Sequence, residues 1–112
     1  RAQEHADINL ITLLVAATQP GLQVKDTKGK WINIKSNPGE LIINTGDMLQ
    51  ECSDHYFPST VHRVMNPKES NKHKARLSMP VFIHPSDDVV LSDKYTAKGY
   101  LEERLKEIGL KE

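Results

Sequence analysis

His5 and Asp7 stand two residues apart in the stretch EHAD. Residues i and i+2 of an extended strand point to the same face, so this spacing can present an imidazole nitrogen and a carboxylate oxygen to one point. A histidine from a distant strand would complete a face of two histidines and one carboxylate. That face leaves the opposite positions open and suits non-haem iron(II). His62, in STVHRV, is the candidate third member. Arg76 and Ser78, in ARLS, form a second pair with the same spacing. On one strand face a guanidinium fork and a hydroxyl can together grip a carboxylate.

Neither pair is specific by itself. At this composition His-x-Asp arises by chance about 0.3 times in a chain of this length. Each residue also has a plainer role open to it: His5 and Asp7 as a surface ion pair, His62 as a hydrogen-bonded core histidine, Arg76 as a partner of Glu40 or Glu51. Cys52, Asp54 and His55 are close in sequence but lack a zinc-site spacing and read as loop residues. His73 and His84 read as solvated side chains.

The elements that must position these groups are short and β-rich. INLITLLVAA reads as a buried strand that stops at Gln19-Pro20-Gly21. GLQVKD and KWINIK flank the turn Thr27-Lys28-Gly29 and predict a hairpin. Ser36-Asn37-Pro38-Gly39 reverses the chain into ELIINTGDML, a strand ending at Gly46-Asp47. After an irregular stretch from Glu51 to Pro58, STVHRVMN predicts a further strand, and a polar loop from Pro67 to Lys74 reads as a solvated hairpin tip. ARLSMPVFIHP follows, its Pro80 suited to an edge or bulge because it lacks a backbone donor. Short strands between turns favour a barrel or jelly roll. Thr96 can cap a C-terminal helix carrying Tyr100, Leu101, Leu105 and Ile108, with Gly109 near its end. That helix is expected on the outside of the sheets.

Size and charge narrow the function classes. The 112 residues suit one domain, and 15 basic residues balance 15 acidic ones, so no global field points to nucleic acid or an anionic membrane. The single cysteine, Cys52, cannot form an intrachain disulfide, and no secretory leader or bilayer-length apolar run is seen; a cytoplasmic setting is the expectation.

From Glu4 to about Pro85 the chain resembles the isopenicillin N synthase-like family of iron(II)- and 2-oxoglutarate-dependent oxygenases. HADINLITLL, PGLQV, KWINIKSNPGELIINTGDMLQ, PSTVHRV and ARLSMPVF carry the resemblance, in that order. It implies an all-β, double-stranded β-helix (a cupin-like jelly roll), with His5, Asp7 and His62 binding iron. It further implies Arg76 and Ser78 on the distal carboxylate of 2-oxoglutarate, with dioxygen as the other reactant. Asn44 and Gly46-Asp47 match the family's Asn-x-Gly-Asp stretch and are assigned to structure beneath the site, not to ligation.

Two stretches depart from the family pattern. CSDHYFPS replaces a turn that usually contains Asn-Gly, and the interval from His62 to Arg76 is long, implying an extended hairpin through Asn66 to Lys74. In the family an opening strand and an N-terminal helical region precede the metal pair. Residues 1–92 are therefore expected to be an oxygenase core lacking them, and residues 93–112 a C-terminal helix.

The activity so implied is decarboxylation of 2-oxoglutarate to succinate, coupled to hydroxylation, desaturation or cyclisation of a small organic substrate. Some relatives, resembling isopenicillin N synthase or the ethylene-forming oxidase, keep an Arg-x-Ser pair without using 2-oxoglutarate in the ordinary way, so the pair implies a carboxylate but not which one. Two alternatives come from other classes. One is a cupin-like metal-binding module without oxygen chemistry, which would have no need of Arg76 and Ser78; the other is an inactive β-helix fragment that self-associates through an exposed strand edge.

Overall fold

The computed structural model describes residues 2–15, 17–66 and 75–110. The polar loop from Pro67 to Lys74, and His73 within it, lie outside the described residues. Seven strands and two helices follow in order: β1 (Ala2–His5), β2 (Ile11–Val15), β3 (Leu22–Lys25), β4 (Trp31–Asn33), β5 (Leu41–Thr45), α1 (Asp47–Cys52), β6 (His62–Val64), β7 (Pro80–Ile83) and α2 (Ala97–Glu107). The strands form a four-stranded sheet in the order β1-β6-β3-β4 and a three-stranded sheet in the order β5-β2-β7. All named pairings are antiparallel, as a jelly roll requires.

The hairpin expected around Gly29 forms as β3–β4, with Gln23 opposite Asn33 and Lys25 opposite Trp31. Gly29 closes it at φ 84°, a left-handed conformation that glycine adopts without steric cost. The INLITLLVAA strand is shorter and less buried than its composition suggests. β2 begins only at Ile11, and alternate residues, Thr12 and Leu14, are buried. These two face inward together with their cross-strand partners: Asn44 and Phe82 opposite Thr12, Pro80 opposite Leu14. The other face of this sheet carries Val15, Leu41, Ile43 and Val81, all exposed. Pro80 opens β7, an edge strand, where its missing N–H removes no interior ladder bond.

One helix was expected, and two are present among the described residues. α1 has only six residues, too few to show a helical period, and such a short helix gains little from intrinsic propensity. The preceding loop supplies what it needs. Asp47 N–H donates to the Asp7 carbonyl at 2.8 Å, and Met48 N–H lies 3.2 Å from both the Ile8 and Asn9 carbonyls, satisfying donors that a helix start leaves without partners. Met48 is 1% exposed and packs with Leu91, Ala97 and Tyr100, against which Ile8, Leu10 and Leu101 close.

α2 thus docks on α1 and on the β1–β2 connection. Its Thr96 cap accepts from Gly99 N–H at 3.1 Å, as expected, whereas Ile108 lies beyond the helix and is exposed. Burial raises the Tyr100 hydroxyl above its ordinary pKa, and Arg104 donates to that oxygen from Nε and Nη2 at 3.3 and 3.1 Å. No helix among the described residues is long and apolar enough to cross a membrane.

Candidate metal centre

β1 and β6 pair antiparallel, with a register shift between Ala2 and His5 that leaves His5 directly opposite His62. The pairing brings their ring centroids to 4.3 Å. Asp7 lies just past the end of β1, where the chain turns toward β2, and its Oδ1 reaches both rings: 3.6 Å from His5 Nε2 and 3.7 Å from His62 Nε2. One ligand atom from each of the three residues falls within 4.8 Å of the others. Asp7 and His62 are buried and His5 is half exposed, so the cluster opens on one side.

Hydrogen bonds decide which atoms face the centre. His5 Nδ1 lies 2.7 Å from the Gln3 carbonyl, and His62 Nδ1 lies 3.0 Å from the Thr60 carbonyl. A carbonyl oxygen only accepts, so each Nδ1 carries a proton, and in the neutral ring Nε2 is left with its lone pair. Asp7 Oδ2 accepts from the Thr12 hydroxyl at 2.7 Å, leaving Oδ1 turned to the two imidazoles. Thr12 Oγ in turn accepts from Asn9 Nδ2 at 3.2 Å, and Asn9 Nδ2 also donates to the Ile11 carbonyl at 2.7 Å.

Three lone-pair donors therefore converge at separations too long for hydrogen bonds. Twice a metal–ligand bond of about 2.1 Å exceeds the two separations from Asp7, so one cation can touch the carboxylate and either ring. The two-histidine, one-carboxylate donor set fits iron(II).

The loop bearing Asp7 is held by backbone contacts that glycine makes possible. A Cβ on Gly46 would lie 1.9 Å from the Asn9 carbonyl oxygen and 3.2 Å from that of Asp7. Gly46 N–H donates to the Leu10 carbonyl at 2.9 Å, next to the α1 contacts described above. The Asn-x-Gly-Asp stretch thus supports the site, as its sequence suggested for the glycine and aspartate.

Arg76 and Ser78 do not lie on a strand; they occupy the segment leading into β7. Leu77 nevertheless pairs with Thr18, through Thr18 N to Leu77 O at 3.2 Å and Leu77 N to Thr18 Oγ at 2.9 Å. The segment stays extended enough for both neighbouring side chains to face inward, and Arg76 Nε donates to the Gln19 carbonyl at 3.1 Å. A cavity of about 140 Å³ between the sheets is lined by His5, Asp7 and His62 together with Arg76 and Ser78. All five residues singled out in the sequence meet in one space. Cys52, expected in a loop, is instead the exposed last residue of α1, whereas Asp54 and His55 form the left-handed turn after it, at φ 52° and 63°, in keeping with the loop expected there.

The profile of the 2OG-Fe(II) oxygenase superfamily matches residues 1–85. The chain belongs to this superfamily. Protein DMR6-LIKE OXYGENASE 2 of Arabidopsis thaliana is 42% identical over 89 residues, 79% of this chain and 24% of the relative. Flavonol synthase/flavanone 3-hydroxylase of Eustoma exaltatum is 41% identical over 85 residues, 75% of this chain and 24% of the relative. Among solved structures, a full-length Neurospora crassa protein in complex with alpha-KG superposes with a TM-score of 0.82 at 30% identity, over 95% of this chain and 37% of that one. A proposed oxygenase of Shewanella oneidensis reaches a TM-score of 0.88 at 56% identity, over 98% of this chain and 40% of that one. This superfamily member spans about a quarter of the length of the curated relatives it matches.

Two site residues escaped the sequence reading. Thr12 and Asn9 are 3% and 2% exposed and reach Asp7 as a relay. The available signal was Thr12 itself, a hydroxyl residue inside the apolar run of β2.

Proposed function

We propose that His5, Asp7 and His62 hold iron(II), and that Arg76 and Ser78 hold the distal carboxylate of 2-oxoglutarate. The activity proposed is decarboxylation of 2-oxoglutarate to succinate and carbon dioxide, coupled to oxidation of a small organic substrate by dioxygen. The convergence of His5 Nε2, His62 Nε2 and Asp7 Oδ1 in the cavity that also receives Arg76 and Ser78 carries this reading. Iron, when bound, supplies the redox chemistry, and the protein's part is to bind and orient.

The carbonyls of Gln3 and Thr60 hold the two rings in the tautomer that offers Nε2. Such outer contacts fix ligand orientation and raise basicity. Thr12 holds Asp7 so that one carboxylate oxygen remains for the metal. Arg76 presents a planar fork suited to a carboxylate, and Ser78 adds a hydroxyl beside it. Leu14, Leu22 and Val64 line the space between, and an apolar wall strengthens the electrostatic contacts within.

By the same reading residues 1–92 form the β-helix core, and residues 93–112 a C-terminal helical segment docked on it. The sequence departures in CSDHYFPS bear on substrate fit.

Anaerobic titration with iron(II) and 2-oxoglutarate tests the proposal through the weak visible charge-transfer band of the chelate. The band should form, disappear in His62→Ala and weaken in Arg76→Ala. A folded chain that gives no band at any concentration would refute it.

A second reading, self-association through an open strand edge, draws support from Leu41, Ile43 and Val81, exposed on the edge strands β5 and β7. Sedimentation of the purified chain separates monomer from oligomer.

A further inference from the structure

We infer that Asn44 is a ligand-binding residue, its side-chain amide donating to an oxygen of the dicarboxylate held between the metal triad and Arg76. This rests on the proposal that the cavity takes 2-oxoglutarate. Asn44 lies on β5 in register with Thr12, the residue that bonds Asp7, which places it toward the metal end of the cavity it lines.

Comparison with Asn9 shows what is unusual. Both asparagines are buried, at 2% exposure for Asn9 and 6% for Asn44. The Asn9 amide is engaged with the Ile11 carbonyl and the Thr12 hydroxyl. The Asn44 side chain has no hydrogen-bond partner among the described residues. A buried amide without a partner costs free energy unless something else meets its donors.

Among the described residues the sealed side-chain polar atom without a partner is Ser59 Oγ, and no atom of Asn44 is sealed in that way. The idle amide therefore faces the cavity and not a protein wall. Its two N–H groups suit an anionic oxygen.

Cavity size narrows the ligand. The space lined by Asn44 is about 140 Å³, on the scale of a small acid, and it shares His5, Asp7 and Phe82 with a wider opening of about 750 Å³. A small acid bridging the triad and Arg76 fits that scale, and its middle or metal-proximal oxygens would pass Asn44. Asn44 would then set the tilt of the acid between its two ends, a role separate from the backbone support given by Gly46.

The test uses the chain loaded with manganese(II), a redox-inert stand-in, titrated with 2-oxoglutarate. Asn44→Leu, close to isosteric, should weaken 2-oxoglutarate by about tenfold, the loss expected for one hydrogen bond to a charged group. Its manganese affinity should stay within about twofold of the parent, since Asn44 is not a ligand. Asn44→Asp should weaken 2-oxoglutarate further, because a carboxylate would then face a carboxylate.

If Asn44→Leu does not fold, Asn44→Asp gives the answer alone. Both variants binding 2-oxoglutarate like the parent would overturn the inference and leave the co-substrate proposal standing. Loss of manganese affinity instead would make Asn44 a support for the triad and overturn it too. A metal-loaded parent that binds no 2-oxoglutarate would remove the co-substrate proposal and this inference together.

Discussion

The two ends of the cavity are held in different ways. At the proposed metal end each candidate ligand has its own fixed partner: Gln3 for His5, Thr60 for His62, Thr12 for Asp7. The loop from Asp7 to Leu10 is further sewn to the turn at Gly46 and the first residues of α1 by backbone hydrogen bonds of 2.8 to 3.2 Å. At the other end Arg76 and Ser78 are half-buried on a segment outside any strand, aligned by its pairing with Thr18 and Gln19. The difference separates two tasks. The proposed metal end is organised by the fold alone, whereas the proposed grip on the acid depends on one extended segment beside an edge strand.

The contrast can be broken most sharply at Asp7. Asp7→Ala should lower metal affinity by well over the roughly 10–100-fold expected from losing a supporting contact, measured by manganese(II) titration with the fold checked by circular dichroism. Retention of parent-like affinity would show that Asp7 is not a ligand.

Next in size is Gly46→Ala, which tests whether the metal end is rigid. Its new Cβ would sit 1.9 Å from the Asn9 carbonyl oxygen, so backbone must shift. A stability loss of about 3 kcal/mol, the upper range for overpacking, is expected in denaturant unfolding. Metal affinity should fall with it. A neutral result would mean that the loop yields easily.

Arg76→Ala addresses the other end. Removing a charged hydrogen-bonding partner of a carboxylate should cost about 2 kcal/mol, roughly thirtyfold in the 2-oxoglutarate dissociation constant, with metal binding unchanged. A matching drop in metal affinity would show that the two ends are not independent.

The smallest effect should come from Thr12→Val, which keeps shape and removes the hydroxyl bonded to Asp7 Oδ2. Metal affinity should drop about tenfold, as for other outer contacts, and Thr12→Ser should restore it. An equal loss in the serine variant would assign the effect to packing.

Much of this was legible along the chain. Alternating apolar residues and turns marked the β3–β4 hairpin, the missing N–H of Pro80 marked an edge position, and the resemblance pointed to five of the residues that line the cavity. Three features were not legible. α1 is stabilised by carbonyls from the Asp7 loop, a partner remote in sequence, so its six residues carried no periodic signal. Arg76 and Ser78 face inward through pairing with Thr18 and not through membership of a strand. Thr12 looked like one β-branched residue among several, because only the folded chain puts its hydroxyl against Asp7.

By itself the sequence determined the donor types, the i, i+2 spacing of each pair, and the strands and turns that carry them, because these depend on backbone periodicity over a few residues. Only the tertiary structure decided that His62 stands opposite His5, that the Thr12 hydroxyl holds Asp7, and that the Asn44 amide is left facing the cavity. Those placements follow from strand register and from the packing of one sheet on the other. Both are settled by hydrogen bonds and burial between segments far apart in the chain, which local spacing does not encode.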